Sequence, residues 1–152
     1  MNTNNMSATR PARWMRPREL STIPGANIQP NVLCYAGTVI GVGTSVGSGT
    51  VIYNEVVIGT NVHIGSGVVL CHGVIIGDGA VIHDRTVIGS ESVICKSTIV
   101  GYGAHIGRRV SISPNVHVGV ETRIGERAIV LEGARIPPYT QVADGDVIVK
   151  RF

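Results

Sequence analysis

Five histidines and a group of arginines are the residues of this chain best suited to do chemistry. The histidines are His63, His72, His83, His105 and His117. A neutral imidazole takes a proton near physiological pH, which makes histidine the commonest general base. Arg108, Arg109 and Arg127 lie close together in sequence, and guanidinium groups bind phosphate well. The three cysteines show no C-x-x-C or other metal spacing. They read as reduced thiols of a cytoplasmic protein. A nucleophilic role for Cys71 would need a clearer electropositive setting than its neighbours provide.

What must position these residues is a repeat of six. Every sixth residue from Ile28 to Ile148 is Ile, Leu or Val, with Cys34 the one exception and no insertion. The next residue is most often Gly, as at 41, 47, 59, 65, 77, 89, 101, 107, 119 and 125. Glycine there is expected to let the chain turn a corner in a conformation closed to other residues. Two residues before each aliphatic stands a small or β-branched side chain, such as Thr38, Thr44, Val56 or Ala80. Each unit therefore predicts a short strand with two inward side chains and then a turn, and a period of 3.6 fits nowhere.

Three units close a triangular coil of 18 residues. About seven coils stacked about 4.8 Å apart give an all-β, single-chain parallel β-helix. It is expected to occupy residues 23–152, with residues 1–22 as a flexible basic arm carrying Arg10, Arg13, Arg16 and Arg18. That arm could instead pack Trp14 on a neighbouring subunit, and it and Lys150-Arg151-Phe152 are candidates to blunt the ends of the solenoid. At 152 residues the chain is about one domain long, and only 4% of it is aromatic. A core so poor in rings must be narrow and filled by medium-sized aliphatics.

Net charge is +3, with no Lys or Arg between Glu19 and Asp84. That uneven spread points to local anion sites rather than the continuous basic stripe of a nucleic-acid binder. No apolar run is long enough for a signal peptide core or a membrane span. A cytoplasmic protein with no nucleic-acid or membrane partner is expected.

Residues 18 apart stack, so the surface can be read directly. The faces are numbered from the strands at Ile28, Cys34 and Ile40, and the residue before each core aliphatic should point outward. On the third face these are Val39, Val57, Ile75, Val93, Ser111, Ile129 and Val147. On the second they are Leu33, Val51, Val69 and Val87, then His105, Arg123 and Gln141. Long apolar stripes usually mark interfaces, and a closed homotrimer suits a three-sided prism. It would bury Val39, Val57, Ile75 and Val93 together with Val51, Val69 and Val87.

The corner shared by those two faces collects the ionisable groups. It reads Tyr35-Ala36-Gly37, Tyr53-Asn54-Glu55, Cys71-His72-Gly73 and Gly89-Ser90-Glu91, then Gly107-Arg108-Arg109 and Gly125-Glu126-Arg127. Asn54 is one coil below His72 and Ser90 one coil above, while Glu55 lies diagonal to it and could fix its tautomer. The three arginines stand two and three coils higher, about 10–15 Å away.

The pattern [LIV]-G-x-x-[STAV]-x resembles the hexapeptide-repeat acyltransferase superfamily across the whole repeat region. The segment Ile136-Pro137-Pro138-Tyr139-Thr140-Gln141-Val142-Ala143 is similar to that family's closing motif, although Asp144-Gly145-Asp146 replaces its G-x-P. The resemblance implies a left-handed coil, a trimer, and transfer of an acyl group from acetyl-coenzyme A. The acceptor would be a hydroxyl or amine of a sugar, sugar nucleotide or amino acid. His72, in Leu70-Cys71-His72-Gly73-Val74-Ile75-Ile76-Gly77, is placed like the general-base histidine of sugar-nucleotide acyltransferases, I-x-H-[DN]-x-x-[IV]-G. The resemblance thus makes His72 the catalytic base with Asn54 or Glu55 as orienter. Ser90, Gly107, Arg108, Arg109 and Arg127 become the coenzyme A site, with glycines 89, 107 and 125 letting the pantetheine arm approach the backbone. Gly73 departs from the Asp or Asn of the motif, and Ala36 and Asn54 stand where serine acetyltransferases carry their histidine.

The same fold also serves non-catalytic trimeric scaffolds, and no loop here protrudes to shape an acceptor pocket. It serves γ-carbonic anhydrases too, but no two histidines here have that family's H-x4-H spacing, and no metal is expected.

Overall fold

A six-residue unit is too short to bury anything alone, so its strands find partners one coil away. The computed structural model describes residues 14–15 and 25–150. The strands are β1 (Trp14–Met15), β2 (Asn27–Ile28), β3 (Leu33–Tyr35) and β4 (Val39–Ile40), followed by two-residue strands every six positions as far as Val147–Ile148. From β2 onward all pairing is parallel between residues 18 apart, as in Val51 with Val69 and Ile75 with Val93. Sheets of seven, eight and seven strands form the first, second and third faces. The described chain is thus an all-β, three-sided parallel solenoid of about seven turns, consistent with the left-handed coil that the resemblance implies.

The core is the expected stack of aliphatics. Ile52, Ile58, Ile64, Leu70, Ile76, Ile82, Ile88 and Ile94 are fully buried, as is Cys34 on the same register. The second inward position carries several hydroxyls, and these tie coils together. Thr50 Oγ1 donates to the Gly65 carbonyl at 2.8 Å and accepts from the Val68 N–H at 3.2 Å. Ser92 does the same with the Gly107 carbonyl and the Val110 N–H, at 2.7 and 3.1 Å. Among the described residues no buried side-chain polar atom lacks a partner. Thr50→Val keeps the shape but strands two buried backbone groups, so urea denaturation should show a loss of about 1–3 kcal/mol.

The glycine after each core aliphatic has a different reason from the one expected. Its φ is not positive. The left-handed residue comes two positions later, as at Gly73 with φ 73°. The earlier glycine is imposed by stacking: a Cβ on Gly47 would stand 2.6 Å from the Gly65 carbonyl carbon and the Ser66 nitrogen of the next coil. Backbone would have to move, so Gly47→Ala should cost about 1–3 kcal/mol in the same measurement.

The two ends are treated differently. β1 runs antiparallel to β3, pairing Trp14 with Tyr35 and Met15 with Cys34, and so covers the open edge of the second sheet. The remainder of the expected arm lies outside the described residues, as do Arg151 and Phe152. In the last coil Pro137 occupies a position whose N–H would donate to a coil above, as Gly119 donates to the Ile136 carbonyl at 2.8 Å. Among the described residues no strand pairs on the far side of Arg135–Ile136, so a residue lacking that N–H breaks no ladder bond there.

Candidate functional site

The corner between the second and third faces is built from four-residue turns held from above and below. The Gly73 N–H donates to the Asn54 carbonyl at 3.0 Å, and the Glu91 N–H donates to the His72 carbonyl at 2.9 Å. These bonds fix the backbone at His72 and leave its imidazole in solvent. Gly73 takes the left-handed conformation, which glycine, Asn and Asp tolerate best. That explains why glycine can stand where the resembling motif has Asp or Asn.

Above His72 the expected donor-site residues come together. Ser90, Arg108, Arg109 and Arg127 line one cavity of about 410 Å³, along with Glu91 and Glu126. Arg109 Nε donates to Glu91 Oε1 at 3.0 Å, and Arg108 Nε donates to Glu126 Oε2 at 3.3 Å. Both pairs are well exposed, where such contacts add little stability. Their effect is to aim two guanidinium groups. Among the described residues Arg127 has no ion-pair partner. Gly107 lines a neighbouring open cavity of about 550 Å³ on the second face, with His105, Arg123 and Gln141. Its lack of a side chain is already demanded by packing, since a Cβ would lie 2.9 Å from the Glu126 nitrogen.

The two acids escaped the sequence reading as site residues. At the corner between the third and first faces, the left-handed positions are Gly43, Asn61, Gly79, Ser97, Asn115 and Gly133, small or amide residues throughout. At the functional corner the same positions hold Gly37, Gly73 and Gly145 but also Glu55, Glu91, Arg109 and Arg127, with φ of 59°, 62°, 57° and 61°, and the remaining corner carries Arg85 and Glu121 in the same conformation. A charged residue gains nothing from that backbone conformation. These side chains are placed in spite of the local cost.

Other expected contacts are absent. No hydrogen bond or ion pair joins the His72 side chain to Asn54 or Glu55, and Glu55 is exposed while Asn54 is half-buried. Cys71 is half-buried, and burial pushes its thiol above the ordinary range, which keeps it protonated rather than nucleophilic. Elsewhere, the Ser45 hydroxyl and His63 Nδ1 are 2.9 Å apart on the first face, and His117 Nδ1 lies 3.5 Å from Arg135. Among the described residues no three His, Cys, Asp or Glu are grouped to hold a metal ion. No helix there is long and apolar enough to cross a membrane.

Comparison with known proteins agrees with the repeat. The family described as bacterial transferase hexapeptide (six repeats) matches residues 55–90, the stretch that holds His72 and Ser90. No curated protein matches the chain by sequence. Among solved structures, a hexapeptide transferase family protein from Anaplasma phagocytophilum superposes with a TM-score of 0.63 at 22% identity, covering 82% of this chain and 70% of that one. The acetyltransferase domain of PglB from Neisseria gonorrhoeae FA1090 gives 0.59 at 17% identity, covering 84% and 50%. UDP-N-acetylglucosamine O-acyltransferase (LpxA) from Moraxella catarrhalis RH4 gives 0.54 at 19% identity, covering 82% and 65%. The chain therefore spans half of the PglB domain's chain and just under two thirds of the Moraxella enzyme. At these identities the likeness is one of fold. By its repeat and its coil, this chain has the three-sided parallel β-helix fold, with a bacterial transferase hexapeptide match confined to residues 55–90.

Proposed function

We propose that the protein is an acyltransferase that moves an acyl group, acetyl in the first instance, from coenzyme A to a hydroxyl or amine of a small acceptor. The observation that carries this reading is the common corner: an exposed imidazole at His72 and, two coils higher, a cavity ringed by Arg108, Arg109 and Arg127. A thioester carried on a phosphorylated arm needs a reacting end and an anionic end held apart, and this corner offers both. Phosphates would sit among the arginines, with Arg127 free to bind them and Ser90 and Gly107 flanking the arm.

In the reaction, a His72 ring nitrogen takes the proton of the acceptor O–H as its oxygen attacks the thioester carbonyl carbon. The new C–O bond forms, the C–S bond breaks, and the departing thiolate receives the proton from the imidazolium. The products are an ester and free thiol, with no other reactant. Asn54 and Glu55, one coil below, are the groups within reach to orient the ring once a ligand closes the site. No metal takes part.

The assembly belongs to the same reading. Most outward residues of the third face are exposed in the single chain, Val39 by 58% and Ile75 by 44%, while Val93 is half-buried. A homotrimer that buries Val39, Val57, Ile75 and Val93 with Val51, Val69 and Val87 would cover them and bring a second subunit to the functional corner. Three unpaired cysteines suit a reducing, cytoplasmic setting.

Calorimetric titration of acetyl-coenzyme A tests the donor site. Wild type should bind, and Arg108→Ala/Arg127→Ala should weaken binding by about 10–100-fold per charged hydrogen bond lost. A second reading, a non-catalytic scaffold, is favoured by the unbroken six-residue spacing, which leaves no long loop between Asn27 and Ile148. Failure of the wild type to bind acetyl-coenzyme A would leave the scaffold as the better account.

A further inference from the structure

Aromatic residues are scarce in this chain, yet two of its four tyrosines stack on the functional corner. The rings of Tyr35 and Tyr53 lie 5.1 Å apart with an interplanar angle of 26°. They come from residues 18 apart, so the stack runs up the prism and keeps the coil spacing. The column they belong to reads Tyr35, Tyr53, Cys71, Gly89, Gly107, Gly125: two rings, then a small thiol, then nothing. A step is therefore left above Tyr53, in front of Cys71, at the rung that carries His72. Tyr53 is 39% exposed although one ring face is taken by Tyr35, so its exposure lies on its other face and its edge.

We propose that Tyr53, backed by Tyr35, is the platform on which the acceptor sits, and that the acceptor is a sugar whose C–H-bearing face lies on the ring. This rests on the acyl-transfer reading above and narrows its acceptor. One face of a pyranose carries polarised C–H groups that complement the negative face of an aromatic ring, while its hydroxyls project from the edge. A pyranose on Tyr53 stands at the level of His72, with an edge hydroxyl or amine directed to the imidazole and the donor arm descending from the arginine cavity. The backing ring matters because it holds Tyr53 in one orientation without any loop. An amino-acid acceptor has no such face and gains nothing from the platform.

The test is binding of methyl glucoside, glucosamine and N-acetylglucosamine, followed by saturation-transfer NMR on wild type, Tyr53→Ala and Tyr53→Phe, with acetyl-coenzyme A titrated into each. At least one sugar should bind wild type with saturation carried from tyrosine ring protons to sugar C–H protons. Tyr53→Ala should weaken it at least tenfold, Tyr53→Phe should stay within about twofold because the ring and not the hydroxyl is used, and acetyl-coenzyme A should bind all three alike. Equal sugar binding by Tyr53→Ala, or equal loss in both variants, overturns the platform. If acetyl-coenzyme A binds and no sugar does, the platform fails and the acyltransferase reading stands. If a sugar binds through Tyr53 and acetyl-coenzyme A does not bind, the platform stands and the transferase reading fails.

Discussion

Replacing His72 by glutamine is expected to lower acyl transfer by about 10²–10⁴-fold, the usual contribution of a positioned general base, while acetyl-coenzyme A still binds. Separation of the two effects is built into the corner. The coil uses only the backbone of His72, through the bond from the Glu91 N–H, and the side chain is exposed. Glutamine can keep that backbone and offer a hydrogen bond, but it cannot hold a proton between attack and departure of the thiolate. Steady-state rates with acetyl-coenzyme A and the best acceptor give the comparison, and unchanged calorimetric affinity shows that the donor site is intact. A variant retaining wild-type turnover would remove His72 from the mechanism. Asn54 and Glu55 should show smaller effects than His72, because neither is hydrogen-bonded or ion-paired to the ring in the free protein.

The second large effect is expected on assembly. Ile75→Asp, at the middle rung of the third face, should convert a trimer to monomers in size-exclusion chromatography with light scattering. Ile75 lies between Val57 and Val93 on adjacent coils, so a charge there would be buried among apolar groups with nothing to pair it. Such a charge is expensive enough to separate subunits rather than be accommodated. The fold of each chain should survive, since Ile75 points away from the core while Val74 and Ile76 beside it are buried. A wild type that runs as a monomer would refute the trimer outright. Loss of the trimer should also lower activity, because the proposed trimer would pair the two faces that flank the His72 corner.

The arginine cavity and the ring platform illustrate how far a one-dimensional reading reaches. Stacking at 18 residues placed Ser90, Arg108, Arg109 and Arg127 on one corner correctly, because a solenoid without insertions converts sequence distance into position. It did not reveal that Glu91 and Glu126 would hold two of the arginines, or that Tyr35 and Tyr53 would stack. Those depend on which way long side chains turn, and several rotamers of Arg, Glu and Tyr are compatible with the same backbone. The glycine rule shows the same limit on the main chain. Gly47 and Gly73 look alike as letters, yet one is required by an approaching backbone and the other by its own dihedral angle.

By itself, the sequence determined the six-residue period, the two inward positions, the three faces and the seven coils. It could do so because each unit can bury its aliphatics only by stacking on the next, so one register satisfies the whole chain. Tertiary structure alone decided where the left-handed residues fall, how β1 closes the edge of β3, and which charges meet. Those outcomes depend on distances of a few ångströms between coils, which a pattern of residue types does not carry.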